Sequence, residues 1–139
     1  MSRPIFVDTG AFLALEDASD DHHDSALQFR DQELRRGTYE LITTSYVVDE
    51  TLTLIRRHIG IDASIDVCQK LRRSRALRRI VVTREIEEQA MDVFEAYDDK
   101  AFSFTDCVSF VVMREWGIAD VFTFDAHFVQ AGMGFIRRP

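Results

Sequence analysis

Short apolar runs alternate with helix-length segments along the whole chain, and no two of the runs stand close enough together to pair as a hairpin. That alternation is what most limits the fold. Parallel strands need a crossover connection, usually a helix, whereas hairpins need only a few residues. The sequence predicts strands at Ile5–Val7, Glu40–Thr44, Ile80–Val82 and Val121–Phe124, with a last short one at Phe135–Ile136. Between them, helical patterns run over Ala11–Leu15, a segment marked by Leu27, Phe29 and Leu34, Ser45–His58, Asp62–Arg73, Glu85–Tyr97 and Cys107–Met113. Apolar residues recur at helical spacing in three of these: Val48, Leu52, Ile55 and Ile59; Ile61, Ile65, Cys68 and Leu71; and Ile86, Ala90, Val93 or Phe94, and Tyr97. Gly37, Gly60 and Gly117 fall where these helices should stop. The expectation is a three-layer α/β/α domain, a mainly parallel sheet with helices on both faces, formed by residues 1–139 as a single unit.

With 46% hydrophobic and 11% aromatic residues, a chain of 139 residues can bury a full core. The longest apolar runs fall well short of the ~20 residues a membrane span needs. The N-terminus enters a strand at once and shows no signal-peptide pattern. Cys68 and Cys107 form no disulfide framework, so a reducing, cytoplasmic setting is expected. Net charge is −7, yet Val67–Arg84 contains no acid and holds Lys70, Arg72, Arg73, Arg75, Arg78, Arg79 and Arg84. Acids gathered in one place and cations in another suit a metal at the first and phosphate at the second. The plainer reading of the basic run is a solvated helix face plus a connecting turn.

Four acids stand where such a sheet places its functional crevice, outside the carboxyl ends of the strands. Asp8 ends the first strand and Asp125 the fourth. Asp106 lies in the first turn of the helix feeding strand four, within the capping-box pattern Ser103–Asp106. Glu50 sits about one turn into the helix after strand two, flanked at i−3 and i+4 by Val47 and Leu54; the stripe favours it over Asp49. Taken singly, each has a dull explanation as a cap, a turn residue or a surface acid. Jointly they repel: at ~4 Å each pair costs about 1–4 kcal/mol. A divalent cation at the centre offsets that repulsion, and carboxylate oxygens without Cys or His companions favour Mg²⁺ or Mn²⁺.

The pieces FVDTGAF with Asp8, TSYVVDE with Glu50, FSFTD with Asp106 and TFDAHF with Asp125 together resemble the PIN-domain nucleases, in particular the VapC-type toxins of toxin–antitoxin pairs. The likeness runs from Ile5 to Phe135. Each motif alone is short, but four in order at the right points of a βα pattern form a fairly specific signal. The resemblance implies a strand order 3-2-1-4-5 and metal-dependent endoribonuclease activity, with RNA phosphodiesters hydrolysed by metal-activated water. It implies Asp8 and Asp106 as principal metal ligands, Glu50 acting directly or through water, and Asp125 as a fourth ligand or a residue for a second metal. Thr9 and Thr105 would hold water at the site, and the basic run would help position the RNA backbone. It further implies a homodimer and a cognate antitoxin covering the groove.

Other residues carry less. His22 and His23 read as a solvated pair, since neighbours point apart. His127 is kept outside the ligand set, with support of a ligating acid as the lesser of its two readings. Trp116 and Phe104 read as core, and Cys107 as a small buried apolar residue. Aspartyl-phosphate enzymes also place an Asp after strand one, but the phosphatases want a second Asp where Gly10 stands, and both they and the receivers want a late lysine, while the only lysines are Lys70 and Lys100. Two alternatives keep the fold: an RNA-processing nuclease without an antitoxin, and a binding module without catalysis.

Overall fold

The structure, a computed structural model, describes residues 2–139. In chain order the elements are β1 (Arg3–Val7), α1 (Thr9–Glu16), α2 (His23–Phe29), which runs on into a π-helical turn (Arg30–Leu34), β2 (Tyr39–Thr44), α3 (Ser45–His58), α4 (Ile61–Arg73), β3 (Leu77–Ile80), α5 (Arg84–Ala96), α6 (Phe104–Trp116), β4 (Asp120–Phe122), α7 (His127–Gln130) and β5 (Ile136–Arg138). The strands form one sheet in the order β3-β2-β1-β4-β5. Every neighbouring pair is parallel, with Phe6 opposite both Ile42 and Val121.

Alternation along the strands divides the core in two. Phe6 and Val121 point to the face covered by α5, α6 and α7, among Val93, Val108, Phe110 and Phe128. Ile5, Val7 and Phe122 point to the other face, against Ala11 and Ala14 of α1 and Ala26 and Phe29 of α2. Because β1 is buried on both faces, its inner residues read as a continuous apolar run rather than an alternating one. The expected three-layer α/β/α arrangement and strand order are both present, and the sheet is parallel throughout.

Helix α6 is the pillar of the first face. All residues from Asp106 to Met113 are buried, and a capping box at Ser103 starts the helix. Gly117 ends it in the left-handed region (φ 65°), where Ile118 N donates to Met113 O at 2.8 Å, the closing bond of a Schellman turn.

Several expected boundaries and faces shift. Strand β3 is Leu77–Ile80, not Ile80–Val82, and Val81 is exposed. As an edge strand it pairs only with β2, so Arg78 and Arg79 can stand in solvent, a pattern that hides a strand from an apolar-run reading. Strand β4 is Asp120–Phe122 rather than Val121–Phe124, and β5 begins one residue later than expected. Asp120, buried at the start of β4, is matched by Arg3 (3.2 Å) and Arg138 (3.4 Å), which is how a charge enters a strand core.

On α4 the inward stripe is Ser64, Val67 and Leu71, while Ile61 and Ile65 are exposed. Ser64 tolerates burial because its hydroxyl donates to Ile61 O and accepts from Arg56 Nε. On α3 the fully buried residues are Val47, Thr51 and Ile55; of the expected stripe Ile55 is buried, Val48 and Leu52 pack part-buried against its cluster, and Ile59 is exposed. On α5, Val93 faces inward and Phe94 outward. Trp116, expected in the core, is exposed; Phe104 packs against it as expected. Among the described residues, no helix is long and apolar enough to cross a membrane.

Candidate metal centre

Strand β1 delivers Asp8 to the carboxyl edge of the sheet in extended conformation (φ −89°, ψ 163°). Its carbonyl accepts from Ala11 N and Phe12 N and so opens α1, but its side chain does not cap the helix. The carboxylate turns inward instead, and the residue is 4% exposed. Asp8 Oδ2 accepts from Thr123 Oγ1 at 2.9 Å. The same hydroxyl oxygen accepts from Asp125 N at 3.1 Å, so one threonine ties the end of β1 to the loop after β4.

Asp106 arrives from the opposite direction in the sequence but at the same edge, in the first turn of α6. Its Oδ2 accepts from Ser103 N at 3.0 Å while Ser103 Oγ accepts from Asp106 N at 3.0 Å. The dull reading of this acid as a cap is therefore true, and its carboxylate is also 2.8 Å from His127 Nδ1. Asp125 precedes Ala126, the capping position of α7. Its Oδ1 accepts from His127 N at 2.8 Å, and its Oδ2 lies 3.2 Å from His127 Nδ1.

Two of the four expected acids converge, together with His127. Ligand atoms of Asp106, Asp125 and His127 all lie within 4.8 Å of one another; Asp8 and Glu50 fall outside that group. Asp8 is nonetheless close enough to feel the others: burial first, then the facing charge of Asp106, and more weakly Asp125, push its carboxyl up to about 7. The Thr123 hydroxyl and the Thr9 backbone pull the other way without prevailing. Glu50 is half-buried on α3 while Asp49 is exposed, as the stripe favoured, yet it stands outside the group formed by Asp106, Asp125 and His127.

A divalent cation fits these groups. The donors are hard oxygens, the charge is in excess on one side, and Thr9 Oγ1, next to Asp8, is buried without a hydrogen-bond partner among the described residues. Repulsion that raises Asp8 is the repulsion a cation would relieve.

The shift sets a pH dependence of stability. A carboxyl whose folded pKa of about 7 lies above its unfolded value of ~4 favours the fold only while protonated. The contribution is full below ~4 and is lost as pH rises through about 7. Calorimetry of metal-free protein should therefore show the melting temperature falling from about pH 5 to about pH 8, with Asp8→Asn removing most of the fall. Mg²⁺ or Mn²⁺ should restore stability at the upper end of that range.

Thr123 is absent from the sequence reading, whereas His127 enters it as the lesser of two readings, support of a ligating acid, and stands against Asp106 and Asp125. The available signal was spacing: Thr123 and His127 each stand two residues from Asp125, the distance at which side-chain-to-backbone turns close. Thr123→Val should cost about 1–3 kcal/mol by leaving a buried carboxylate one donor short, measured by urea unfolding near neutral pH. Thr123→Ser should recover most of it.

His22 and His23 do point apart. His22 stacks on Phe124 (4.5 Å between rings), and His23 Nδ1 meets Ala14 O at 2.6 Å, so His23 is tied down rather than solvated. The Cys107 thiol is buried and pushed up to about 11, which leaves it inert.

Residues 5–133 match the PIN domain. The chain is 35% identical over 133 residues to the 23S rRNA-specific endonuclease VapC20 of Mycobacterium tuberculosis, covering 96% of this chain and 98% of that one. It is 29% identical over 130 residues to a VapC ribonuclease of Archaeoglobus fulgidus, covering 92% and 81% respectively. The crystal structure of M. tuberculosis VapC20, described as a sarcin–ricin loop cleaving toxin, superposes with a TM-score of 0.85 at 34% identity over 95% of this chain and 96% of that one. FitAcB from Neisseria gonorrhoeae shares the fold at a TM-score of 0.72 with 11% identity, over 97% of each chain. A parallel 3-2-1-4-5 sheet with acids gathered at its carboxyl edge, matched along nearly the full length by these relatives, places the chain in the PIN-domain family.

Proposed function

We infer that this protein is a metal-dependent endoribonuclease and the toxin of a type II, VapBC-like toxin–antitoxin pair. The observation that carries the reading is the meeting of Asp106, Asp125 and His127 at one edge of the sheet, with the buried Asp8 close enough to feel the charge of both acids. Asp8 and Asp106 serve as the principal ligands of Mg²⁺ or Mn²⁺, with Asp125 and Glu50 completing the site directly or through water. A bound cation supplies Lewis-acid activation of water and neutralises charge on the phosphodiester.

The chain's own groups prepare that site. Thr123 orients Asp8, and the capping box at Ser103 fixes Asp106 at the positive end of a thirteen-residue helix. Within the basic run, Lys70 is occupied by Glu16 and Asp66, and Arg78 lies 3.9 Å from Glu40. Arg72, Arg75, Arg79 and Arg84 are exposed and offer the positive charge for an RNA backbone. The full chain of residues 1–139 acts as one domain, works as a homodimer in the cytoplasm, and is silenced by a cognate antitoxin. Relatives named for cutting 23S rRNA and its sarcin–ricin loop make structured ribosomal RNA the first substrate to offer.

The test is to incubate protein freed of any small co-purifying partner with total RNA and Mg²⁺ or Mn²⁺. Discrete cuts that vanish with EDTA and with Asp8→Ala support the reading. Intact RNA in every lane, from protein shown to be folded, counts against it.

A further inference from the structure

We propose that His127 is a positioning residue of the acidic site, its Nδ1–H donated to Asp106 and its backbone N–H to Asp125, so that the two carboxylates are held together without blocking the cation. This deepens the reading of the site as a divalent metal centre and rests on it.

The geometry fixes the tautomer. Nδ1 lies 2.8 Å from Asp106 Oδ2 and 3.2 Å from Asp125 Oδ2, and a carboxylate oxygen accepts, so the tautomer that fits this geometry carries its proton on Nδ1. The ring cannot swing freely. Its own backbone N–H is held by Asp125 Oδ1, and Phe102 meets it edge-on with centroids 5.4 Å apart. The result is a division of labour among oxygens. Asp125 Oδ1 accepts the backbone N–H of His127, and Asp125 Oδ2 lies 3.2 Å from the ring nitrogen. Asp106 Oδ2 takes two donors, Ser103 N and His127 Nδ1, whereas Asp106 Oδ1 takes no hydrogen bond among the described residues. The cation is therefore offered Asp106 Oδ1, on a carboxylate whose rotation is stopped from two sides. Residues that orient a ligating carboxylate in this way commonly govern metal affinity by about 10–100-fold.

Three substitutions separate this role from others. Asn places an N–H donor close to where Nδ1 stands; Gln carries its donor about one bond further out, near Nε2; Ala has none. Mn²⁺ binding to the full-length protein is read by electron paramagnetic resonance titration, with folding checked by circular dichroism. Positioning predicts that His127→Ala and His127→Gln weaken Mn²⁺ binding by about 10–100-fold and that His127→Asn stays within a few-fold of wild type. Equal affinity in wild type and His127→Ala overturns the proposal and leaves the metal centre standing. No Mn²⁺ binding by the folded wild type overturns the metal reading, and this proposal falls with it. An electron spin-echo modulation from an imidazole nitrogen bound to Mn²⁺ makes His127 a ligand and overturns the positioning role. Long-range proton–nitrogen spectra of the metal-free protein give an independent check: a bare Nδ1 on His127 contradicts the proposal before any metal is added.

Discussion

Asp106→Asn should lower RNA cleavage by about a thousandfold or more while leaving the protein as stable as the wild type, or more so. The two halves follow from different atoms. A ligand to a catalytic cation contributes several kcal/mol of charge stabilisation, and each 1.36 kcal/mol is about tenfold in rate. Removing the negative charge loses that contribution. The capping role survives, because an asparagine Oδ1 can still accept from Ser103 N, and Asn and Asp cap helices about equally well. Charge removal also relieves the facing Asp8, whose carboxyl burial and Asp106 together push up to about 7. Cleavage rates beside melting curves of the metal-free protein read both effects. A variant that loses activity only because it unfolds would contradict the account.

Phe110→Ala should be the most destabilising single truncation of this site's support, at about 3–5 kcal/mol by urea unfolding. Phe110 is fully buried on α6, four residues after Asp106. Its ring meets Phe102 and Phe128 edge-on at 5.0 and 5.1 Å and Phe135 at 5.9 Å. These partners come from the loop before α6, from α7 and from the approach to β5, so one cavity would loosen three segments at once. Two of the partners adjoin site residues, since Phe102 precedes the cap at Ser103 and Phe128 follows His127. Divalent-cation affinity should therefore fall along with stability. Phe110→Leu, which keeps most of the volume, should cost less than half as much, as near-isosteric core changes usually do.

Much of the fold is legible in the sequence because its signals are local. The alternation of apolar runs and helical stripes, the capping box at Ser103 and the glycine after Trp116 each specify an element from a few neighbouring residues. The residues that mislead do so because tertiary context overrides such signals. Arg78 and Arg79 look unlike a strand until β3 is known to be an edge. Ile61 and Ile65 look buried until the α3–α4 pair is seen to turn Ser64 and Val67 inward instead.

The site divides the same way. Asp8, Asp106 and Asp125 can be found because strand ends and helix starts sit at one edge of any parallel sheet. Placing Glu50 beside them was a step further, and its half-buried carboxylate stands apart from the group formed by Asp106, Asp125 and His127. Thr123 becomes visible only when the backbone turn after β4 exists to bring it against Asp8, and the same turn brings His127, the lesser reading in the sequence, against Asp106.

A crystal soaked in Mn²⁺ and measured at the manganese absorption edge would locate the cation. An anomalous peak is expected within bonding distance of the Asp8 and Asp106 carboxylates, with the His127 ring nitrogens at longer range, and should be lost in Asp106→Asn. A well-diffracting crystal in saturating Mn²⁺ with no peak at this edge of the sheet would contradict a metal centre there.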